Sequence, residues 1–202
     1  MNRTNLCFLI AASLMLTACG PDLSKPDPGY EAFRVSSFSL TDRKGLPADQ
    51  TILDGHYTVV DFIFTNCPIY CPGMSAVMKQ VQIETQNTDA RFLSISVDGL
   101  NDTPAVIDNY ADSLGADPDR WAFLTGDRGA VRALCEKQFM LGISIDESRK
   151  IATATGGTMD FVDHPTRLIL VGPDRQILGM YSYTDEQQIA TLIKRVKRLA
   201  KN

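Results

Sequence analysis

Long apolar runs are missing from this chain of 202 residues. Its most apolar stretch, LCFLIAASLML within Met1 to Ala18, is too short to cross a bilayer as a stable helix. With Arg3 ahead of it and small residues behind, that stretch reads as a secretory signal peptide over residues 1–18. Positive charge is not in excess either. Lys and Arg number 20 against 24 Asp and Glu, and removal of Arg3 with the leader leaves a balance of about minus five. That excludes a nucleic-acid binder. There is no internal repeat and no low-complexity tract, so solenoid and fibrous architectures are excluded as well. Cysteine is scarce, with five in the chain, and Cys7 departs with the leader.

What remains is organised around export and one pair of thiols. Leu16-Thr17-Ala18-Cys19 looks like a bacterial lipobox, which implies cleavage before Cys19 and lipidation of its thiol and new amino terminus. The expected location is therefore extracytoplasmic, on the periplasmic side, held to the membrane by acyl chains rather than by a spanning helix. Residues 19–30, with GPDLSKPDPG at their centre, are polar and proline-rich and are expected to form a flexible tether. Residues 31–202 suit one domain with a full core. Cys67, Cys71 and Cys135 are the thiols left. In an oxidising compartment a close pair of thiols must be kept reduced by a partner, protected by metal, or cycled.

The pair lies in TVVDFIFTNCPIYCPGMSAVM, Thr58 to Met78. Thr58 to Phe64 reads as a buried central strand. After Pro72 the period changes, and Met74, Val77, Met78 and Val81 fall on one helical face. Proline restricts the residue before it and is tolerated at the first helical position, so Cys71 is expected at the N-cap and Pro72 as the first helical residue. Both sulfurs would then lie near the positive end of the helix dipole, with their pKa values lowered. Three intervening residues in one turn could allow a disulfide or point both sulfurs at one metal ion. The spacing leaves both open.

Elsewhere the chain alternates strands and helices. Phe33 to Leu40 and the turn TDRKG read as an amino-terminal hairpin, and Arg91 to Val97 as a strand. A helix runs from Thr103 at the N-cap to about Leu114, and Trp121 to Leu124 is a strand. Val131, Leu134, Cys135 and Phe139 form one face of a further helix, which makes Cys135 a core residue. Ser144 to Met159 is polar and reads as an excursion outside the core. TRLILV and QILGMYSY flank the turn GPDR as a hairpin. The last helix carries a capping box at Thr184 and Gln187, an apolar stripe of Ile189, Leu192, Ile193, Val196 and Leu199, and a solvated basic face that includes Arg195. These elements give an α/β fold with a central mixed sheet flanked by helices and extended by an N-terminal hairpin.

The motifs FTNCPIYCP (Phe64 to Pro72), SVDGLNDTP (Ser96 to Pro104) and FVDHPTRLILVGPDR (Phe161 to Arg175) resemble, in this order, the Sco/SenC family of copper chaperones. The resemblance implies a thioredoxin-like fold and a copper site, for Cu(I) or Cu(II), made by Cys67, Cys71 and His164. It also implies a role in preparing the copper A centre of cytochrome c oxidase, with that subunit or another exported copper protein as partner. Two soft thiolates and one imidazole suit copper, whereas structural zinc wants a fourth protein ligand. His164 takes its role from the motif alone, Asp163 is a candidate to orient its ring, and Met74 and Met78 are read as core. His56 is given none.

Asn66, Ile69 and Pro165 depart from the family pattern. Pro165 stands where thioredoxin-like oxidoreductases place a proline, commonly in the cis form. A second reading follows, in which Cys67 and Cys71 are a redox-active pair of a membrane-anchored thiol-disulfide reductase fed by a thiol reductant. Neither reading makes the protein a conventional enzyme.

Overall fold

The computed structural model describes residues 22–67, 70–153 and 156–201. The signal peptide, Cys19 and Ile69 lie outside the described residues.

Seven strands form one mixed sheet. In chain order they are β1 (Ser39–Asp42), β2 (Pro47–Asp49), β3 (Thr58–Ile63), β4 (Arg91–Ser96), β5 (Trp121–Thr125), β8 (Arg167–Val171) and β9 (Ile177–Ser182). Their spatial order is β2-β1-β5-β4-β3-β8-β9. The neighbours β3, β4 and β5 are parallel, and β8 runs antiparallel to β3. The helices are α1 (Cys71–Glu84), α2 (Pro104–Leu114), α3 (Arg128–Gln138) and α4 (Glu186–Leu199). Parallel neighbours need crossovers, and α1 and α2 supply them between β3 and β4 and between β4 and β5.

β3 is the centre. All six of its residues are buried, as expected for a strand covered on both faces. Phe62 meets Phe139 edge to face at 5.2 Å on one side of the sheet. By the alternation of a strand, Asp61 and Ile63 face the other side, and Asp61 is the single acid in an otherwise apolar run.

Several boundaries differ from the sequence reading. The amino-terminal hairpin is Ser39–Asp49, lying further along than Phe33 to Leu40, because Thr41 pairs with Pro47 on one side and Thr125 on the other. Tyr70, not Cys71, is the N-cap of α1, so Cys71 is the first helical residue and Pro72 the second. Asp185 rather than Thr184 caps α4, its carboxylate accepting from the N–H groups of Gln187 and Gln188 at 3.0 and 3.1 Å. A carboxylate there also meets the positive end of the dipole, worth about 1 kcal/mol.

The polar excursion is a second, two-stranded sheet. β6 (Ser144–Ala152) pairs antiparallel with β7 (Thr158–Asp163). Gly156, with φ at +89°, makes the turn. Arg149 lies over the Phe161 ring at 4.0 Å, so a polar hairpin is held by a cation on an aromatic face rather than by the main core. Its return strand delivers the chain to His164.

The segment expected to be a free tether is docked from Asp22 onward. Arg195, 4 % exposed, reaches across 172 residues to donate from Nε to the Leu23 carbonyl at 2.9 Å. Its Nη1 donates to Asp27 Oδ1 at 2.8 Å, the Tyr181 hydroxyl at 2.9 Å and the Leu178 carbonyl at 3.1 Å, and Nη2 donates to the Lys25 carbonyl at 2.5 Å. Arg195 therefore does not belong to the solvated basic face of α4. A buried guanidinium is tolerated because its donors find partners.

Candidate metal centre

β3 ends at Ile63 and β8 begins at Arg167. Being antiparallel neighbours, they bring the residues after β3 and before β8 to the same end of the sheet. Cys67 and Cys71 leave from the first and His164 from the second. The two Sγ atoms and a ring nitrogen of His164 all lie within 4.8 Å of one another, with all three residues buried. Cys71 Sγ and His164 Nε2 are 3.4 Å apart.

Each donor is oriented by its surroundings. The backbone N–H groups of Tyr70 and Cys71, at the start of α1, point at Cys67 Sγ from 3.4 Å. The Phe64 N–H points at Cys71 Sγ from 3.5 Å. His164 Nδ1 lies 3.1 Å from the Pro165 carbonyl, which has no proton to give, so the ring is the donor there. In the neutral ring that tautomer leaves the Nε2 lone pair facing Cys71. Phe64 and Tyr70 close on the imidazole edge to face at 5.2 and 6.5 Å.

Some expectations need correction. The Cys71 thiol is not acidified by the helix end. Hydrogen bonding to Cys67 and burial push it far above the ordinary thiol range, with the nearby Cys67 and Asp61 charges adding to the effect. Asp163 is exposed, and the partner that fixes Nδ1 is the Pro165 carbonyl. The His164-Pro165 peptide is trans. Cys135 is buried on α3 with its thiol pushed up to about 12 by burial, and Met74 and Met78 are fully buried, all three as core residues. His56 stands 3.8 Å from Asp89, remote from the thiols in its contacts.

Behind the thiols lie carboxylates that sequence reasoning passed over. Asp61 accepts from Ser94 Oγ at 2.6 Å while its Oδ2 has no hydrogen-bond partner among the described residues. Burial pushes its carboxyl up to about 7. The signal was visible as one acid inside TVVDFIF. Asp102 was read only as part of a helix start. It is fully buried and accepts from Thr65 N–H at 3.0 Å, Thr65 Oγ1 at 2.5 Å and Ser96 Oγ at 2.5 Å. Burial raises it above the usual carboxylate range. Asp102 thus ties the SVDGLNDTP loop to the residue two positions before Cys67. Gly99 in the same loop passes so close to Gly126 that a Cβ would run into the Gly126 carbonyl oxygen.

The arrangement supplies two sulfurs and one nitrogen, buried and convergent. That is a low-coordinate soft set, suited to copper and one ligand short of a structural zinc site. A groove of about 510 Å³ runs instead between α1 and α4, from Tyr183 and Val77 to Lys197 and Glu84, with neither thiol in its wall. No helix among the described residues is long and apolar enough to cross a membrane.

Comparison with known proteins places these features in context. The SCO1/SenC family profile matches residues 27–201. The SCO1 protein homolog of Bacillus subtilis is 32 % identical over 187 residues, covering 91 % of this chain and 90 % of the relative. The solved structure of BsSco, described as a member of the Sco family of cytochrome c oxidase assembly proteins with a disulfide switch, superposes with a TM-score of 0.70. It is 29 % identical and covers 87 % of this chain and 96 % of that one. Bradyrhizobium japonicum ScoI, solved with copper bound, gives a TM-score of 0.58 at 25 % identity, covering 80 % of this chain and 98 % of that one.

Proposed function

The chain belongs to the SCO1/SenC family, and on that premise we propose that it is a copper chaperone for assembly of the copper A site of cytochrome c oxidase. Copper is its cargo, and Cys67, Cys71 and His164 are its ligands. The observation that carries this reading is the convergence of two thiols and one imidazole within 4.8 Å in a buried site. Thiolates hold Cu(I), and the imidazole adds a donor that matters more to the harder Cu(II).

The residues also set how cargo enters. Cys71 holds its proton at neutral pH, so loading requires that proton to leave. The Phe64 and Tyr70 rings keep water from the imidazole, and Pro165 holds it with Nε2 inward. Asp102 holds Thr65, and through it the approach to Cys67, in one position. Acyl groups on Cys19 keep the domain on the membrane face where an exported oxidase subunit presents its copper site.

A second reading is favoured by the placement of the two sulfurs and by the disulfide switch described for BsSco. In it, Cys67 and Cys71 pass electrons to a client's disulfide and are re-reduced by a thiol donor. A deletion strain separates the two. Oxidase activity restored by added copper supports delivery, restoration by a small-molecule thiol alone supports reduction, and an unimpaired oxidase would remove the assembly role.

A further inference from the structure

The docked amino-terminal segment fixes more than its own path. Arg195 holds the carbonyls of Leu23 and Lys25 and the carboxylate of Asp27 at the carboxyl-terminal half of α4. Only Gly20 and Pro21 separate Cys19 from Asp22. Two residues allow a reach of about 11 Å between those α-carbons. An acylated Cys19 would therefore hold the bilayer close to the place where Leu23 meets Arg195 on α4.

That end is basic. Lys194, Lys197, Arg198 and Lys201 recur at helical spacing and are exposed. Lys197 has Glu84 at 3.4 Å, and Lys25 has Asp22 at 3.9 Å. Lys194, Arg198 and Lys201 have no ion-pair partner among the described residues.

The thiols lie at the other end. Helices α1 and α4 run side by side in the same direction. Tyr183, just before α4, sits against Gly73 in the first turn of α1. Lys197 meets Glu84 at the last turn of α1. Helix α1 runs from Cys71 to Glu84, and its 13 helical steps place the two poles roughly 20 Å apart.

We infer that the basic carboxyl-terminal face of α4 rests on an anionic lipid surface, and that the docked segment and the acyl anchor together orient the domain with Cys67, Cys71 and His164 facing away from the membrane. This rests on the lipidation of Cys19. The lipid acts through charge on Lys194, Arg198 and Lys201, and the anchor supplies proximity. The arrangement presents the copper donors to a partner whose own site stands above the bilayer.

The test uses the processed protein extracted from its membranes, with its intact mass measured first. It is placed in neutral detergent, in phosphatidylcholine vesicles, and in vesicles containing one quarter phosphatidylglycerol. Lysines are labelled with a water-soluble acylating reagent and read by mass spectrometry, and the site thiols with a small water-soluble alkylating reagent. On the anionic vesicles, labelling of Lys194 and Lys201 should slow at least fivefold relative to detergent, while Lys44 and the thiol labelling stay within twofold. Arg198→Glu with Lys201→Glu, both at the surface, should return Lys194 to its detergent rate. Asp27→Asn should weaken the protection with the acyl mass unchanged. Equal rates in all three media, or equal protection on neutral lipid, would overturn the inference while leaving the anchor intact. Protection in detergent that grows with protein concentration would assign the face to a second copy, and protection of the thiols in place of the lysines would reverse the orientation. A mass without acyl groups would remove the anchor and this inference together, leaving the copper site standing.

Discussion

Arg195 and the thiol pair occupy opposite poles of the helix pair α1 and α4, and both are buried polar groups. At the Arg195 pole the guanidinium donates to three backbone carbonyls, one carboxylate and one hydroxyl. At the thiol pole the sulfurs and the imidazole Nε2 face one another, and the buried Asp61 keeps one oxygen without a hydrogen-bond partner among the described residues. A satisfied buried group holds a fold together, while a convergent set with donor capacity left over is available for chemistry. The difference predicts that substitutions at the first pole change stability and those at the second change binding.

The largest effect is expected at the thiols. Cys67→Ser or Cys71→Ser should lower Cu(I) affinity at least a thousandfold, roughly 4 kcal/mol, with only a few degrees of change in melting temperature. Competition with a Cu(I) chelator and a thermal melt of the same sample read both quantities. Next comes Arg195→Leu, which should cost about 3 kcal/mol of stability in denaturant unfolding and leave copper affinity within twofold. If copper binding fell while stability held, the two poles would not be separate in function.

Much of the thiol pole was legible because its signals are local. Two Cys-Pro steps in nine residues stand out without knowledge of the fold, whereas His164 was legible only through its family motif. The Arg195 pole was not legible, since Arg195 shares its helix with three other basic residues and three of its five partners lie 168 to 172 residues away in a stretch rich in proline and polar side chains. Periodicity puts a residue on a helix but does not say what will cover it. Asp102 was hidden in the same way, reading as a helix start while bonding a residue 37 positions earlier. The hairpin β6–β7 escaped because its residues are polar where strand recognition looks for apolar alternation.

Two smaller effects sharpen the comparison within the thiol pole. His164→Ala should weaken Cu(II) about a hundredfold and Cu(I) about tenfold, the latter near 1.4 kcal/mol. Equal losses for the two ions would deny the imidazole its separate part. Because Cys71 must release a proton on loading, apparent copper affinity should also rise with pH between 6 and 8.

Asp61 acts on stability rather than on binding, and its effect has a definite sign. Its folded pKa, raised to about 7, exceeds an unfolded value of about 3.9. The folded state therefore holds the proton more tightly, and the contribution of this group is full below about pH 4 and is lost as pH rises toward 7. Asp61→Asn should then stabilise the protein by roughly 1–3 kcal/mol at pH 8 and by little at pH 4. Unfolding curves in urea at the two pH values measure this, and a stabilisation independent of pH would locate its cause elsewhere.

The central claim is that Cys67, Cys71 and His164 form one copper site. X-ray absorption of the reduced protein loaded with one equivalent of Cu(I), alongside its Cys67→Ser and His164→Ala forms, tests it most directly. The account predicts two sulfur ligands and one nitrogen in the native chain, one sulfur fewer in Cys67→Ser, and no imidazole signal in His164→Ala. A copper shell unchanged by either substitution would contradict it.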